Sequence, residues 1–301
     1  MRKLLCPILL IAVFVLASCK KEPDFRNPNV DYSELIVGKW FNASYETYHY
    51  IEYCADNTYY ELLYHHLEGW KDISGVYSLD GNEYTELNSL EGSSVGNTYY
   101  IEVTEDYLIY NPHIDIYGSN SPNRFFRIKE QFDIAAKYSY RRALVNFESK
   151  SGVSSIELLD GLTYHGNTFI GVEDFDEVTT KEYIKTLFTD FTFSEDGRFN
   201  SNSDEVSFLG EYSQNDTSLS MTMRKDDKSI TVEALSLLGE NSDCLYIMIP
   251  QQKDLAKLLL LYMFDAETFA MVSQDELDIL AQRVLDSFND VSIVIALDIN
   301  S

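Results

Sequence analysis

Short runs in which apolar and polar residues alternate, separated by turn residues, occupy most of the chain after residue 34. This period of two is typical of strands that bury one face, and strands so closely spaced indicate an antiparallel sandwich or barrel. Up to residue 128 the pattern predicts eight strands, at 36–45, 47–54, 58–65, 74–79, 83–88, 98–103, 107–111 and 124–128. Eight short strands are about the number that closes a small barrel, so residues 34–128 are predicted to form one barrel domain.

The second half of the chain continues with strands and then changes its period. Strands are predicted at 155–159, 161–172, 187–193, 198–201, 206–212, 218–223, 229–237, 244–250 and 291–299. Before the last of these, apolar residues recur every three or four positions over 252–264 and 274–289, which predicts two helices. The second helix starts at a capping box, Ser273 to Glu276.

Residues 129–150 are compatible with a helix at their start and then become basic, so they are interpreted as a connector. The second domain is accordingly predicted to span residues 151–301. The resulting fold class is mainly β: two antiparallel barrel domains, of which the second carries one or two helices near its C-terminal end.

The start of the chain has the features of a signal peptide. Arg2 and Lys3 precede an apolar run over 4–17, which is shorter than the roughly 20 residues that a membrane-spanning helix needs. The run ends in Leu16-Ala17-Ser18-Cys19, which resembles the lipobox of bacterial lipoproteins. The alternative is an ordinary secretory signal followed by an incidental cysteine.

The lipobox resemblance implies that residues 1–18 are removed, that the Cys19 sulfur carries a diacylglyceryl group, and that the new amino terminus is acylated. Residues 19–33 are polar, hold two prolines and are interpreted as a tether. Lys20 follows the cysteine, which by analogy implies the outer membrane, and the tract 20–24 is similar to the export tract of Bacteroidetes lipoproteins. The periplasmic and cell-surface faces both remain open.

Three short motifs of the first domain resemble those of lipocalin-like domains: Val37-Gly38-Lys39-Trp40, Gly75-Val76-Tyr77 and Arg124-Phe125-Phe126-Arg127. The resemblance implies that Trp40 lies at the closed end of the barrel and that Arg124 or Arg127 stacks across it as a cation–π contact. In the second half, Gly210-Glu211-Tyr212 repeats the Gly-x-Tyr motif. Because this half lacks a Gly-x-Trp opening, it is interpreted as a more divergent barrel of the same kind.

Composition limits the partners. The chain has 49 acidic and 23 basic residues and a net charge of −26, which disfavours nucleic acid and anionic lipid surfaces. Membrane association is therefore expected to depend on the Cys19 lipid alone. Cys54 and Cys244 are interpreted as independent thiols, with a disulfide between them left open.

No catalytic or metal-binding pattern in the sequence is specific enough to assign a site, so no catalytic residue, metal or cofactor is predicted. His65 and His66 are adjacent and point to opposite faces of a strand, as do His49 and Glu52. The acidic run at Asp174, Asp176 and Glu177 is interpreted as a solvated turn. Carboxylate pairs suited to glycoside hydrolysis occur by chance among so many acidic residues.

Aromatic residues are the remaining candidates for function. Tyr59, Tyr64, Trp70 and Tyr99 are predicted to line a polar-aromatic pocket for a small hydrophobic or sugar ligand, and ordinary packing between strands is the alternative. The leading hypothesis is a non-catalytic, ligand-binding outer-membrane lipoprotein. A structural or interaction subunit that docks on another envelope protein is the second hypothesis, and a hydrolase is the third.

Overall fold

The computed structural model describes residues 25–43, 47–65, 69–90, 93–111, 124–128, 132–202, 207–225, 227–240 and 242–300. The predicted signal peptide, Cys19 and His66 lie outside these ranges. The structure confirms the predicted fold class, because the chain is mainly β and forms two closed antiparallel barrels of eight strands each.

The first barrel is an up-and-down meander in which every strand pairs with its neighbour in sequence and β8 returns to β1. All eight predicted strands are present. They are β1 (Gly38–Ala43), β2 (Thr47–Tyr53), β3 (Thr58–His65), β4 (Gly69–Asp80), β5 (Glu83–Leu90), β6 (Ser93–Val103), β7 (Tyr107–Tyr110) and β8 (Arg124–Arg127). Its interior core includes Trp40, Ile51, Tyr53 and Leu108, which alternate with outward residues as a half-buried strand requires.

Part of the predicted tether is attached to this barrel. The Asn82 side-chain amide donates a hydrogen bond to the Phe25 carbonyl at 2.9 Å, and the Asn82 backbone N–H donates to the Asn27 carbonyl at 3.2 Å. Arg26 forms an ion pair with Asp80. The interpretation of 19–33 as a tether is therefore corrected for residues 25–27, whose polar groups bind the β4–β5 turn.

The second barrel contains β9 and seven later strands, and it closes where β18 pairs with β9. Its strands are β9 (Ala136–Ser149), β12 (Phe191–Phe193), β13 (Arg198–Asn202), β14 (Ser207–Asn215), β15 (Ser218–Lys225), β16 (Lys228–Leu238), β17 (Cys244–Ile249) and β18 (Phe288–Asn300). A separate two-stranded sheet joins β10 (Ser155–Glu157) to β11 (Phe169–Gly171).

The interpretation of residues 129–150 as a connector is wrong from residue 136 onward, because β9 is the first strand of the second barrel. The basic residues that suggested a connector lie on the outer side of this strand, where Arg141 pairs with Asp298 at 3.2 Å. The chain enters this strand through Ile134-Ala135-Ala136-Lys137-Tyr138, which parallels Ile36-Val37-Gly38-Lys39-Trp40 at the start of β1. The second barrel therefore has the counterpart of the Gly-x-Trp opening, with tyrosine in place of tryptophan.

Hydrogen bonds show that the two openings are equivalent. Trp40 Nε1 donates to the Ile36 carbonyl at 2.8 Å, and Tyr138 OH donates to the Ile134 carbonyl at 2.8 Å. The Gly-x-Tyr motifs correspond as well: Tyr77 OH donates to the Cys54 carbonyl at 3.0 Å and Tyr212 OH to the Ser194 carbonyl at 2.9 Å. The two barrels are thus structural repeats with the same register at these points.

The glycine of each Gly-x-Tyr motif lies beneath an aromatic ring of the preceding strand. Tyr59 is the cross-strand partner of Gly75, and Phe199 is the partner of Gly210. A Cβ atom at Gly75 would lie 2.7 Å from the Tyr59 ring, and one at Gly210 would overlap the Phe199 ring. Glycine is therefore required in both motifs because a ring and a backbone carbonyl of a neighbouring strand, that of Leu87 or Thr222, occupy the space of its side chain.

Gly210→Ala is expected to reduce the free energy of unfolding by about 1–3 kcal/mol, because the added methyl group must displace the buried Phe199 ring. Urea unfolding of the purified protein measures this change. Ser213→Ala, at an exposed position of the same strand, is the control and should change the free energy by less than about 0.5 kcal/mol. Equal effects of the two substitutions would contradict the close approach of the ring.

Within the described residues, the second barrel carries four α-helices: α1 (Glu177–Phe188), α2 (Lys253–Met263), α3 (Ala266–Met271) and α4 (Gln274–Ser287). Those predicted over 252–264 and 274–289 correspond to α2 and α4, and the Ser273 capping box is present. No helix among the described residues is long and apolar enough to cross a membrane.

The sequence pattern does not predict helix α1. The strands predicted at 161–172 and 187–193 are shorter in the structure, where they span Phe169–Gly171 and Phe191–Phe193. Asp176 is the N-cap of this helix, and its side chain accepts a hydrogen bond from the Thr179 N–H at 2.8 Å. Its sequence is rich in valine, threonine and isoleucine, which have low helix propensity. Burial of Thr180, Ile184 and Leu187 against the barrel outweighs that propensity.

The two barrels pack side by side through their outer faces. We call this contact the inter-barrel interface; its buried residues are Phe41, Tyr48, Tyr50, Leu62, Tyr64 and Ile128 on one side and Leu237, Cys244, Tyr246, Met248, Val294 and Ala296 on the other. Polar contacts surround it: Lys39 pairs with Asp216, and Arg124 pairs with Glu240 at 3.4 Å. The first barrel therefore buries part of its outer face in addition to its interior.

Candidate functional site

The four aromatic residues predicted to line one pocket fall in two places. Tyr64 is fully buried in the inter-barrel interface, and the partly buried Trp70 packs edge-on against it with ring centroids 5.2 Å apart. Tyr59 and Tyr99 belong instead to the interior of the first barrel. The structure therefore brings Tyr64 together with Trp70, and it separates this pair from the other two residues.

The closed end of the first barrel has the geometry that the lipocalin-like resemblance implies. The Arg127 guanidinium carbon lies 4.1 Å from the centre of the Trp40 ring. Arg127 Nη1 also donates a hydrogen bond to the Val37 carbonyl at 2.9 Å, and burial lowers the pKa of its guanidinium. Arg124 stacks over Tyr107 instead, at 3.8 Å from the ring centre. Arg127 is thus the arginine that covers Trp40.

The interior of the first barrel, which we call the first lumen, contains a continuous series of rings. The series runs from His49 to Phe125 at 4.9 Å between ring centroids, from Phe125 to Tyr110 at 5.6 Å, and from Tyr110 to Tyr99 at 5.4 Å. Tyr84 continues it, 6.2 Å from Tyr99. Successive rings meet at distances typical of aromatic pairs and form one wall of the lumen.

Two carboxylates lie among these rings. Glu86 is 8% exposed and accepts hydrogen bonds from Tyr84 OH at 3.2 Å and from the Asn97 side-chain amide at 3.1 Å. Burial raises the pKa of Glu86, and the negative charge of Glu61 raises it further. His49 Nε2 lies 3.6 Å from the Glu61 carboxylate and has no hydrogen-bond partner.

Burial differs along the interior of the first barrel. Trp40 and Tyr53 are fully buried, whereas the side chains of His49 and Glu61 keep 22% and 12% of their surface exposed. The side chains of His49 and Glu61 therefore keep partial contact with solvent.

Equivalent positions of the second barrel are apolar or small. Glu86 pairs across strands with Tyr77, and Met221 pairs with Tyr212 of the equivalent Gly-x-Tyr motif. On the next strand, Asn97 faces Glu86 and Val232 faces Met221. By the same correspondence Ser201 takes the place of Glu61. The two barrels therefore share a backbone and differ in the chemistry of their interiors.

The interior of the second barrel, which we call the second lumen, contains an apolar cavity beneath helices α1 and α2. Its volume is about 40 Å³, within a cleft of about 580 Å³ when the space open to solvent is included. All of its lining residues are apolar except Thr180 and Tyr183, and they include Ile184, Phe199, Met221, Val232, Leu259 and Ile293. Tyr183 stacks on Tyr262 with ring centroids 4.0 Å apart, which joins α1 to α2 beside the cavity.

No known family model matches the chain, and no curated protein is significantly similar to it. The two barrels are compatible with a lipocalin-like binding fold.

The other residues considered from the sequence have structural roles. Asp174 accepts a hydrogen bond from the Gly171 N–H at 2.8 Å, and Asp176 caps α1. Within the described ranges no group of three His, Cys, Asp or Glu side chains is arranged to hold a metal ion. Cys54 and Cys244 are free thiols, and burial raises the pKa of Cys244.

Sequence reasoning missed the polar residues of the first lumen. A signal for them existed: Glu61 is two positions after Tyr59, and Glu86 is two positions after Tyr84, so each carboxylate shares the buried face of its strand. A charged residue in phase with a buried face is unusual, because carboxylates are rarely buried without a partner.

Proposed function

We propose that the protein is a non-catalytic, ligand-binding lipoprotein that Cys19 anchors to the outer membrane of a Bacteroidetes-type bacterium, and that its second lumen binds a small apolar ligand. The observation that carries the ligand proposal is the apolar cavity under α1 and α2. The lipobox resemblance supports the anchor.

An apolar cavity favours an apolar ligand for two reasons. Its lining side chains lack contact partners on one side, so a ligand that supplies those contacts is stabilised by dispersion. Water gains few hydrogen bonds there, because Thr180 and Tyr183 provide the only polar side chains of the lining. The ligand therefore need not displace strongly bound water, and burial of its own apolar surface favours binding.

The entrance is proposed to lie at the Tyr183–Tyr262 contact. Tyr183 lines the cavity and is partly exposed, so it reaches from the interior to the solvent. Tyr183 belongs to α1 and Tyr262 belongs to α2. A ligand longer than the present cavity would therefore have to separate these two stacked rings. Movement of α1 relative to α2 would then enlarge the site within the same cleft.

Straight-chain alcohols from butanol to decanol, titrated into the purified protein by calorimetry, test this proposal. Affinity is expected to rise about fourfold for each added methylene, because each buried methylene contributes about 0.8 kcal/mol, until the chain exceeds the cleft. Val232→Phe fills the cavity and should abolish binding. Affinity that does not depend on chain length would contradict the proposal.

The matched control is Leu209→Phe, which adds the same ring on the outer surface at a residue that is 72% exposed. It should bind the alcohols like the native protein. Thermal unfolding of both variants establishes that they are folded, and Val232→Leu replaces Val232→Phe if the larger side chain prevents folding. Native binding in a folded Val232→Phe variant would place the ligand elsewhere.

A further inference from the structure

The first described residues of the chain are held against one turn of the first barrel. The Asn82 side-chain amide donates a hydrogen bond to the Phe25 carbonyl at 2.9 Å, and its side-chain oxygen accepts one from the Asn27 N–H. Arg26 pairs with Asp80, which directly precedes the same turn. These contacts fix the place where the chain reaches the barrel, so they also fix which part of the barrel lies nearest to Cys19.

The β4–β5 turn lies at the end of the first barrel that contains Trp40, which we call the Trp40 end. Because neighbouring strands are antiparallel, alternate turns of an up-and-down barrel lie at the same end. The turns at this end span residues 54–57, 81–82 and 104–106. Arg127, which covers Trp40, donates a hydrogen bond from Nε to the Glu105 carbonyl at 2.8 Å. This contact joins the last of these turns to Trp40.

The second barrel points in the same direction. Lys39 pairs with Asp216 in the β14–β15 turn, and Tyr107 donates a hydrogen bond at 2.8 Å to Glu240, which follows β16. Since neighbouring strands are antiparallel, β14 and β16 end where β9 begins, at what we call the Tyr138 end. The Trp40 and Tyr138 ends therefore face the same way. Helices α2, α3 and α4, which connect β17 to β18, lie at the opposite end.

Chain length limits how far the Trp40 end lies from the lipid proposed on Cys19. Phe25 is six residues after Cys19, and such a segment spans at most about 22 Å. Strand β9 has 14 residues, so it is about 45 Å long, and a tilt of about 40° leaves about 35 Å along the barrel axis. The two ends of the second barrel are therefore separated by more than the segment between Cys19 and Phe25 can reach.

The residues exposed at the Trp40 end suit contact with lipid headgroups. Phe25 and Leu35 are 37% and 36% exposed, and the Leu35 carbonyl accepts a hydrogen bond from the arginine that covers Trp40. Lys20 and Lys21 precede Phe25 in the sequence. Aromatic, apolar and basic side chains together are typical of the membrane–water interface. The turn 104–106 is acidic, which keeps the contact at the bilayer surface because a charge inside the membrane is costly.

We propose that the Trp40 and Tyr138 ends form a membrane-facing surface, which contacts the phospholipid headgroups while the barrel axes lie roughly perpendicular to the bilayer plane. This inference rests on the lipid proposed on Cys19, because the anchor brings this surface to the membrane. Helices α2, α3 and α4 then lie on the side away from the bilayer. The ligand proposed for the cavity beneath α1 and α2 therefore exchanges with the aqueous phase rather than directly with the membrane.

Fluorescence quenching by labelled lipid headgroups tests the orientation. Glu105→Cys, Glu195→Cys and Ser151→Cys place a thiol at exposed positions of the β6–β7 turn, the β12–β13 turn and the turn after β9. Each is made together with Cys54→Ala, since Cys54 is partly exposed whereas Cys244 is buried. The lipidated full-length variants are labelled with a thiol-reactive fluorophore and reconstituted into phosphatidylcholine vesicles in which part of the headgroups carry a nitroxide.

The nitroxide is expected to quench most of the fluorescence at Glu105→Cys and Glu195→Cys and little of it at Ser151→Cys. Equal quenching at the three positions, or stronger quenching at Ser151→Cys, would overturn the proposed orientation. Flotation of the same vesicles distinguishes this outcome from failure of the anchor. Equal quenching in variants that float with the vesicles refutes the orientation alone, whereas variants that stay in the soluble fraction refute the anchor and the orientation together.

Asn82→Ala tests whether the contact with residues 25–27 sets the orientation. The substitution removes both side-chain hydrogen bonds of Asn82 to this segment, so quenching at Ser151→Cys is expected to approach that at Glu105→Cys. The matched control is Ser78→Ala, at an exposed position of the same hairpin, which should keep the native difference. Thermal unfolding establishes that both variants are folded. A folded Asn82→Ala variant with the native quenching pattern would contradict the proposal.

Discussion

Cys19→Ala is expected to remove all fatty-acid label from the protein and to release it from the outer-membrane fraction. The acyl chains proposed on Cys19 together provide stable anchoring, whereas a single chain binds only marginally and reversibly. Without them, the acidic chain has little affinity for anionic headgroups. Growth with radioactive palmitate, followed by fractionation and immunoblotting, measures both effects.

Cys54→Ala is the matched control, since it removes a cysteine that is free and partly exposed in the first barrel. This variant should keep the full fatty-acid label and remain in the outer-membrane fraction. Mass spectrometry of the amino-terminal peptide supplies a second readout, with Cys19 expected as the first residue and carrying the lipid. Label that persists in Cys19→Ala, or a mature chain that begins elsewhere, would refute the anchor.

The first barrel was predictable because its strands alternate cleanly and its turns are marked. Asp80-Gly81-Asn82 indicates a hairpin, and in the structure Gly81 has a φ of 66°, a conformation that favours glycine. The start of the second barrel was not found, because Tyr138 replaces the tryptophan of the motif and neighbouring basic residues resemble a linker. The parallel between 134–138 and 36–40 becomes evident only when register and hydrogen bonds are compared.

The division of tyrosines between two surfaces could not be predicted from alternation. In β2, Tyr48 and Tyr50 face the inter-barrel interface while Tyr53 faces the first lumen, and all three are buried. A strand pattern shows which residues share a face, but here both faces are covered. The candidate pocket therefore combined residues of an interface with residues of a lumen, and only the position of the second barrel separates them.

Phe41→Ala is expected to lower the free energy of unfolding by about 3–5 kcal/mol, the usual cost of truncating a buried phenylalanine. Phe41 is fully buried on the outer side of β1 and contacts Phe126 and Tyr246, with ring centroids 5.5 and 5.3 Å away. Chemical unfolding followed by fluorescence measures the loss. Leu87→Ala, at a residue 47% exposed on the outer face of the same barrel, should cost less than about 1 kcal/mol.

The double variant Phe41→Ala with Tyr246→Ala tests whether this contact couples the two barrels. Because the two rings touch across the interface, the double variant should lose less stability than the two single variants together, by about 0.5–3 kcal/mol. Native protein is expected to unfold in one transition, since neither barrel can expose its interface without the other. Additive losses, or two separate transitions in the native protein, would show that the barrels unfold independently and that the interface contributes little to stability.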